Sequence, residues 1–453
     1  MKAPWSQQDW QRALVYGLGL SGLAAVGLLR SRGVEVVGVD RRAAGELDLV
    51  ELAADPGVEL LLGREPTALP AGLDGVVVSP GVPAERPLLA AAREAGIPVI
   101  AEVELGYAFV NGPVIGITGS NGKSTTTALA GALLAASGFA VEVCGNIGRP
   151  LSACAEGAAG RIFVTELSSF QLEAIDGFHP RAAALLNISA DHLDHHAGLD
   201  GYIAAKKRLF DNQSEGDIAV INADDPLVAE VAVRSRRRFF SRLRSVEDGC
   251  FLDGDWVVEV TPGQPESELF RPRDLSLPGT HNLENAMAAV LLARAFDADR
   301  EMIAPTLGAF SGLPHRLELV RDLGEVLWYD DSKGTNVGAT LKSLEGFADG
   351  SVHLILGGRD KGSDFGALAP VVERKAVRVY LIGEAAQRVG VALADRVACE
   401  QADDLTTAVA SAASRVGAGE VVLLSPACAS FDQYLDFHAR GDHFQDLVRA
   451  LDG

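Results

Sequence analysis

The feature that most constrains the fold is a repeated succession of an apolar run, a glycine-containing turn and a helical pattern. The first copy fills residues 13–40 (ALVYGLGLSGLAAVGLLRSRGVEVVGVD), where two apolar runs flank a helix. A second copy begins at VIGIT (114–118). The same alternation continues towards the C-terminus with four further apolar runs, VLWYDDS, VHLILGG, VRVYLIG and VVLLSPA. This alternation is typical of parallel sheets with crossover helices, so we predict an α/β protein.

The length and the spacing of these units predict three domains. The chain has 453 residues of which 48% are hydrophobic, enough to bury several cores at roughly 150 residues per domain. We predict a Rossmann-like N-terminal domain over 1–101, a central α/β domain over 102–312 and a Rossmann-like C-terminal domain over 313–453. The irregular, charged segment 236–273 is expected to form a peripheral sheet of the central domain.

Charge and cysteine usage restrict the class of ligand. The net charge of -21 argues against a surface built for nucleic acid or an anionic membrane. The five cysteines are widely spaced and contain no C-x-x-C, which indicates reduced thiols rather than a disulfide framework or a zinc site. The N-terminus lacks the apolar region of a signal peptide, and no apolar run reaches the ~18 residues of a membrane span. We therefore expect a cytoplasmic protein with small ligands, no nucleic-acid partner and no membrane insertion.

The first turn has the pattern of a diphosphate-binding loop. Residues 17–22 (GLGLSG) match G-x-G-x-x-G, and Asp40 stands near the acidic position that ends the second strand of such units. The pattern selects a diphosphate on a helix N-terminus, so it fits NAD and UDP equally. A tight turn that binds no ligand is the structural alternative.

The second turn, TGSNGKS at 118–124, is a more specific signal. It follows a strand and precedes a helix expected to begin at Ser124 or Thr125, so its N–H groups can surround the β- and γ-phosphates of ATP. Lys123 can neutralise phosphate charge and the Ser124 hydroxyl can reach Mg²⁺. The standard loop has Gly six residues before the Lys, whereas this chain has Ile117. We therefore predict that the central domain is an ATP-binding domain of the P-loop type, in a variant form.

The variant loop T-G-x-N-G-K-[ST] resembles that of the Mur ligases and of the related folylpolyglutamate synthases, which make amide bonds with ATP. Further stretches extend the resemblance to the Mur ligases over all three predicted domains. They are GLGLSG, ELSSFQLE (166–173), NISADHLDHH (187–196), YIAAKKRLF (202–210), GTHNLENAMAA (279–289), GLPHRLE (312–318), DDSKGTNVGAT (330–340) and LSPACASFDQY (424–434).

Within that family, these stretches are most similar to the enzymes that join D-glutamate to UDP-N-acetylmuramoyl-L-alanine. The resemblance implies a ligase of peptidoglycan synthesis, hence of cell wall biogenesis, cell shape and the cell division cycle. The implied reaction makes an acyl phosphate from ATP and the muropeptide carboxylate, which the amine then attacks to release phosphate. Two highly charged reactants must meet, so neutralisation and positioning supply most of the catalysis. We expect a monomer.

Two Mg²⁺ ions are implied near the phosphate loop. Glu166 ends the run IFVTE, where a neighbouring strand end would come beside the loop of a parallel sheet. By resemblance His192 binds the second ion, whereas His195 and His196 receive no such role. Lys206, in YIAAK, is implied to carry a carbamate formed from CO₂, although a solvated helix face would be the ordinary interpretation of that lysine. The implied metal ligands are Ser124, Glu166, His192 and Lys206, and the implied catalytic residues are Lys123, Lys206, His192 and Arg316.

The resemblance also distributes substrate contacts along the chain. The implied ATP contacts are Thr118, Gly119, Ser120, Asn121, Gly122, Lys123, Ser124, Thr125, Thr126, Asn285, Arg316, Asp331 and Lys333. The implied contacts to the UDP-linked substrate are Gly19, Leu20, Ser21, Asp40, Arg41, Ser79, Pro80, Gly81 and Asn146. The implied contacts to the amino acid are Thr335, Lys361, Ser430, Phe431 and Phe437.

Two positions depart from the family pattern. Arg359 and Asp360 precede Lys361, and Arg41 stands where a small hydroxyl residue would be ordinary. Two alternatives stay open at this point. A folylpolyglutamate synthase or another amide ligase would share the chemistry, but those synthases lack the N-terminal G-x-G-x-x-G domain. A nicotinamide-dependent oxidoreductase or a nucleotide-sensing switch would use both loops, but it leaves Glu166 and Lys206 unexplained.

Overall fold

The computed structural model describes residues 10–47, 49–155, 160–189, 196, 198–277, 279–360 and 362–451. The chain divides into two compact units, one of Met1–Asp274 with Glu284–Gly308 and one of Leu275–Leu283 with Ala309–Gly453. The first unit contains two sheets and the second contains one. The predicted α/β class is confirmed. Within the described ranges, every helix falls short of the length and apolarity that a membrane crossing requires.

The first sheet has five parallel strands in the order β3-β2-β1-β4-β5. Strands β1 and β2 are buried along nearly their whole length, as their continuous apolar runs predict, whereas the edge strand β3 is partly exposed. The chain order reverses between β1 and β4, and such a reversal opens a crevice at the carboxyl ends of the strands. The elements are β1 (Arg12–Tyr16), α1 (Leu20–Ser31), β2 (Glu35–Asp40), α2 (Val50–Ala54), β3 (Val58–Leu62), β4 (Gly75–Val78), α3 (Pro87–Glu94) and β5 (Val99–Ala101).

The second sheet has nine strands in the order β14-β13-β12-β11-β10-β9-β6-β8-β7. Strands β6 to β12 pair in parallel, and β12, β13 and β14 form an antiparallel edge. The peripheral sheet predicted for 236–273 is therefore confirmed as an extension of the central sheet. The elements are α4 (Glu102–Phe109), β6 (Val114–Thr118), α5 (Lys123–Ala136), β7 (Val141–Gly145), α6 (Leu151–Cys154), β8 (Ile162–Glu166), α7 (Ser169–Glu173), β9 (Ala182–Leu185), α8 (Leu199–Lys207), β10 (Ile218–Asn222), α9 (Pro226–Ala229), β11 (Arg236–Ser241), β12 (Gly249–Asp253), β13 (Trp256–Val260), β14 (Ser267–Phe270), α10 (Thr280–Arg294) and α11 (Ile303–Ala309).

The third sheet has six strands in the order β15-β16-β20-β17-β18-β19, and β15 alone runs antiparallel to its neighbour. The buried strand β17 pairs with β18 and β20, so the core lies around it. The elements are β15 (Glu318–Leu323), β16 (Val326–Asp330), α12 (Val337–Glu345), β17 (Val352–Gly357), α13 (Ala369–Lys375), β18 (Ala376–Ile382), α14 (Ala386–Leu393), β19 (Ala398–Asp403), α15 (Leu405–Ala413), β20 (Val421–Leu424) and α16 (Phe437–Arg449).

Candidate functional site

A cavity of about 520 Å³ opens at the point where the strand order of the first sheet reverses. The carboxyl ends of β1, β2 and β4 contribute its floor, because parallel strands end at one edge of their sheet. The predicted substrate contacts that line it are Gly19, Leu20, Ser21, Asp40, Arg41, Ser79, Pro80, Gly81 and Asn146. The structure thus brings together residues that span 127 positions of the chain.

Glycine is required at the start of α1 by close packing. A Cβ on Gly22 would lie 1.8 Å from the carbonyl oxygen of Gly17, and Ser79 Oγ already donates a 2.7 Å hydrogen bond to that oxygen. The N-terminus of α1 therefore sits directly against the turn, and its residues Gly19, Leu20 and Ser21 line the cavity. A helix N-terminus in this position favours an anionic ligand.

The Asp40 carboxylate is hydrogen-bonded to neighbouring groups at this edge of the first sheet. Its carboxylate accepts hydrogen bonds from the Leu18 N–H at 2.8 Å and from the Arg42 Nε and Nη2 at 3.0 and 2.8 Å. Burial alone would raise the pKa of Asp40, but the hydrogen bonds from Arg42 and Leu18 outweigh it and lower the pKa to about 2. The sequence interpretation missed Arg42, although it directly follows Arg41 and also lines the cavity.

The phosphate loop connects β6 to α5 in the second sheet. The helix begins at Lys123, one residue before the predicted start, a difference within the ordinary uncertainty of helix ends. Gly122 has φ of 83°, and a Cβ there would lie 2.1 Å from Asn285 Oδ1, so only glycine fits. Lys123 Nζ donates to the carbonyl oxygens of Gly119 and Ser120 at 2.9 and 2.8 Å. The lysine therefore lies over the loop that is predicted to bind phosphate.

Asn187 supports this loop and was given no role by the sequence interpretation. Its Oδ1 accepts from the Asn121 N–H at 2.9 Å, and its Nδ2 donates to the Asn121 carbonyl at 3.1 Å. The Ser120 N–H donates to the Asn187 carbonyl at 2.9 Å. Asn187 follows β9, which pairs with β6. The only sequence signal for it was its place just after an apolar strand.

Glu166 stands beside the loop, because β8 pairs with β6 in a register that puts it opposite Ile117. The side chain is 2% exposed. Its Oε1 accepts from Asn146 Nδ2 at 2.9 Å, while its buried Oε2 has no hydrogen-bond partner among the described residues. A buried carboxylate oxygen without a donor is costly unless a cation or an unseen donor meets it. The carboxylate therefore fits a hard divalent cation, and Ser124, the second residue of α5, offers a buried hydroxyl in the phosphate loop.

Lys206 lies against the same loop. It is 1% exposed, and its Nζ donates to the Gly119 carbonyl at 2.8 Å. This burial contradicts the solvated helix face that was the ordinary interpretation of Lys206. His192, the other predicted metal ligand, lies outside the described residues. The predicted metal ligands that the structure describes are Ser124, Glu166 and Lys206, and their roles stay predictions.

A buried carboxylate marks the third sheet. Asp331, just after β16, accepts hydrogen bonds from Ser343 and Ser425, both at 2.7 Å. Burial raises the pKa of Asp331 to about 6, although these hydrogen bonds and the charge of Arg316 act in the opposite direction. Lys333 Nζ lies 3.6 Å from the centre of the Phe437 ring. Arg316, Asp331 and Lys333, predicted to contact ATP, thus share this edge of the sheet.

The predicted amino-acid contacts differ in exposure. Ser430 is 2% exposed and Phe431 is 58% exposed. Thr335 is half-buried, and its N–H donates to the Lys333 carbonyl at 2.8 Å. Lys361 lies outside the described residues. The exposed ring of Phe431 is available to a ligand, whereas the carbonyl oxygen of the buried Ser430 accepts hydrogen bonds from the Gln433 and Tyr434 N–H groups at 3.1 and 2.9 Å.

Arg440 joins the two loops that carry these residues, and the sequence interpretation missed it. It is 1% exposed, and it donates to Ser332 Oγ at 3.0 Å, to the Ser332 carbonyl at 2.8 Å and to the Cys428 carbonyl at 3.2 Å. Burial lowers the pKa of Arg440 to about 10, so it stays charged at neutral pH. Its sequence signal is weak because an arginine on a helix is usually exposed.

One cluster of side chains in the third sheet consists of residue types that often bind metals, but hydrogen bonds within the chain already explain its arrangement. His315, Glu318 and Asp330 bring a ring nitrogen and two carboxylates within 4.8 Å of one another. Gln445 Nε2 donates to Glu318 and Asp330 at 3.0 and 2.9 Å, and His315 Nδ1 lies 2.7 Å from Asp330. Hydrogen bonds within the chain therefore account for the cluster.

Three family profiles match successive parts of the chain. Residues 11–101 match "Mur ligase MurD-like, N-terminal domain", residues 117–293 match "Mur ligase middle domain", and residues 315–428 match "Mur ligase, glutamate ligase domain". The predicted order of three α/β domains, N-terminal, central and C-terminal, is confirmed.

Curated relatives match the chain over nearly its whole length. A UDP-N-acetylmuramoylalanine--D-glutamate ligase from Koribacter versatilis is 43% identical over 97% of this chain and 98% of that protein. Another protein of that name, from Syntrophotalea carbinolica, is 42% identical over 99% of each. Among solved structures, UDP-N-acetylmuramate-alanine ligase from Thermotoga maritima has a TM-score of 0.62 at 18% identity, with 97% of this chain and 99% of that chain covered. The last likeness shows a shared fold.

Proposed function

The chain belongs to the Mur ligase family, and from that premise we propose that it is an ATP-dependent amide ligase that adds D-glutamate to UDP-N-acetylmuramoyl-L-alanine. The products are the extended muropeptide, ADP and phosphate. The observation that carries the proposal is the position of Asn146. It lines the cavity of the first sheet and also donates to Glu166 beside the phosphate loop. The Asn146 side chain thus connects the first-sheet cavity, proposed to bind the UDP-linked substrate, with the residues beside the phosphate loop, proposed to bind ATP.

The proposal includes the organisation and setting of the enzyme. Residues 1–101 bind the UDP-linked substrate, residues 102–312 bind ATP and residues 313–453 bind the amino acid. The three profile matches fall within these boundaries. The protein acts in the cytoplasm as a monomer, in the synthesis of peptidoglycan precursors, and so serves cell wall growth, cell shape and division.

The first-sheet cavity suits UDP better than NAD. In a dinucleotide-binding Rossmann unit, the acidic residue at the end of the second strand accepts hydrogen bonds from the ribose of NAD. Here Arg42 and the Leu18 N–H already occupy both oxygens of Asp40. Arg41 lines the cavity wall and presents positive charge to a diphosphate, whereas the Asp40–Arg42 ion pair has no net charge. This arrangement disfavours the nicotinamide-dependent alternative.

The phosphate loop supplies the activation step. Joining a carboxylate to an amine requires a leaving group on the carboxylate, and attack of its oxygen on the γ-phosphorus of ATP gives an acyl phosphate and ADP. Lys123 leaves the carbonyls of Gly119 and Ser120 to neutralise the phosphate oxygens. The neutral amine of D-glutamate then attacks the acyl carbon, the carbon–oxygen bond to phosphate breaks, and the nitrogen loses a proton as the amide forms. The protein contributes positioning and charge neutralisation.

The residues around the loop fit Mg²⁺. Glu166, through its unpartnered Oε2, and Ser124 would hold one ion, and His192 and a carbamate on Lys206 would hold a second. When bound, Mg²⁺ neutralises the phosphate oxygens and makes phosphorus easier to attack. Asn146 orients the Glu166 carboxylate for this role by occupying its other oxygen.

Substrate contacts outside the first unit follow from family resemblance. Arg316, Asp331 and Lys333 contribute to ATP binding. Lys361 pairs with the side-chain carboxylate of D-glutamate, and Thr335, Ser430, Phe431 and Phe437 shape its pocket. Arg440 supports that pocket by holding Ser332 and Cys428 in place.

Phosphate release from MgATP tests the proposal. The muropeptide UDP-N-acetylmuramoyl-L-alanine is supplied with D-Glu, with L-Glu, with other D-amino acids or with no amino acid. We expect release that depends on both the muropeptide and D-Glu. Release with a different amino acid would keep the ligase and overturn the assignment of the third-domain pocket. The absence of release with every pair would overturn the proposed function.

A further inference from the structure

His196 is a buried histidine that the ligase chemistry above does not use. Its side chain is 0% exposed. Its Nδ1 lies 2.7 Å from Glu173 Oε1, and its Nε2 lies 2.9 Å from Ser169 Oγ. Both partners belong to α7, and the Phe170 ring of the same helix lies 5.4 Å away between ring centres. Because both ring nitrogens meet α7, the imidazole is fixed to that helix.

The other side of His196 packs against α8. Its ring centre is 5.2 Å from that of Tyr202. A Cβ on Gly201 would lie 1.8 Å from the His196 carbonyl oxygen, so the helix backbone approaches this segment as closely as a glycine allows. His196 is therefore in direct contact with both helices.

Tyr202 carries this contact to the phosphate loop. Tyr202 is 2% exposed, and its hydroxyl is hydrogen-bonded to Ser120 Oγ at 3.1 Å. Lys206 Nζ lies 4.4 Å from the centre of the Tyr202 ring. The ring thus forms the wall along which the end of Lys206 lies.

We propose that His196 is a positioning residue, which pins α7 to α8 and so sets the separation of Glu166 and Lys206. Glu166 lies three residues before α7, and Lys206 lies on α8. Two groups that bind neighbouring cations must be held to a fraction of an ångström, and residues behind metal ligands commonly do this. The inference rests on the proposed function for the identity of the metal ligands.

Two substitutions distinguish the polar contacts of His196 from its ring packing. A matched control shows whether the loss of any buried histidine affects the protein in the same way. His196→Phe keeps a ring against Phe170 and Tyr202 but removes both polar contacts, whereas His196→Gln can keep the contact to Ser169. His353→Phe is the control. His353 is also buried, with a hydroxyl partner at 2.9 Å in Tyr380 and a carboxylate partner at 3.1 Å in Glu420, but it lies on β17 of the third sheet.

The first measurement is binding of Mn²⁺ alone, titrated into each full-length protein with and without ADP and followed by electron paramagnetic resonance. We expect the Kd for Mn²⁺ to rise about tenfold in His196→Phe, less in His196→Gln and by under about twofold in His353→Phe. For ligation, we expect kcat to fall about tenfold in His196→Phe with little change in KM for the UDP-linked substrate.

Unchanged Mn²⁺ affinity in both His196 variants would overturn the inference, and so would an equal loss in His353→Phe or a wild type that binds no Mn²⁺. Circular dichroism shows whether each variant folds. If His196→Phe does not fold, the Mn²⁺ affinity of His196→Gln alone tests the inference. Because the Mn²⁺ titration needs no muropeptide, a wild type without ligase activity would overturn the proposed function and leave the metal-site inference to be judged separately.

Discussion

Ser425 donates a 2.7 Å hydrogen bond to the carboxylate of Asp331, which is 6% exposed and directly follows β16. Ser343 makes a second bond of the same length. Even with these donors, burial holds the pKa of Asp331 at about 6, above its ordinary value. Ionisation of Asp331 therefore falls within an accessible pH range.

This pKa predicts a pH dependence for ATP. The carboxylate that is proposed to contact ATP is ionised above about pH 6 and gains a proton below it. We expect KM for ATP to rise about tenfold between about pH 7 and about pH 5, because the ionised fraction falls about tenfold per unit below the pKa. Asp331→Asn controls for titration of the nucleotide itself. Equal pH profiles for the variant and the wild type would contradict the prediction.

The Asp40–Arg42 pair predicts a second pH effect, on stability. The pKa of Asp40 is lowered to about 2 in the folded protein, so its contribution is present above the unfolded value near about 4 and is lost as pH falls through about 2. We expect Asp40→Asn to lower Tm at neutral pH, and the gap from wild type to shrink as pH falls from about 5. Calorimetry at several pH values measures this gap, and a gap independent of pH would disprove the assignment.

The contact between Asn146 and Glu166 predicts an effect on Mg²⁺ dependence. Glu166→Gln removes the charge of the proposed ligand, whereas Asn146→Ala removes only the group that orients it. We expect the Mg²⁺ concentration for half-maximal phosphate release to rise about tenfold or more in Glu166→Gln and by a smaller factor in Asn146→Ala. The reverse order of the two variants would show that Asn146 acts mainly on the UDP-linked substrate.

The family resemblance at Lys206, which is buried beside the phosphate loop, predicts a detectable carbamate. We expect the intact protein to gain the mass of one CO₂ in bicarbonate buffer, and the gain to disappear in Lys206→Arg. Lys207→Arg, one residue further along α8, is the matched control and should retain the gain. An unmodified Lys206 in a high-resolution map, together with activity that survives its replacement, would refute the carbamate.

Arg440 predicts a large loss of stability from a single substitution. Arg440→Met removes the buried guanidinium that donates to the carbonyl oxygens of Ser332 and Cys428. We expect the free energy of unfolding to fall by about 2–4 kcal/mol. Arg449→Met, an exposed position on the same helix, should change it by under about 0.5 kcal/mol. Denaturant unfolding compares the two, and similar values would show that the buried contacts contribute little.

Much of this protein could be predicted from short stretches of sequence. The turns GLGLSG and TGSNGKS each follow an apolar strand, and the parallel arrangement of strands then fixes the sheet edge at which they lie. Glu166 was predictable in the same way, because it ends a strand that pairs with the strand before the phosphate loop. These local patterns sufficed because each element carries its own periodicity and turn residues.

The supporting residues could not be predicted in this way. Asn187 is 66 positions from Asn121, and Arg440 is 108 positions from Ser332. An asparagine after a strand or an arginine on a helix has no local pattern that names a distant partner. Their roles come from burial, because a polar group removed from water must find a partner wherever the fold brings one.

The sequence by itself therefore determined the α/β class, the two phosphate-type turns and the family. Three features depended on the tertiary structure. The Arg42 guanidinium is hydrogen-bonded to the Asp40 carboxylate, and one oxygen of Glu166 has no donor among the described residues. His196 contacts both α7 and α8. The physical reason is that turn and strand preferences act between neighbours in the chain, whereas hydrogen bonding and burial act between neighbours in space.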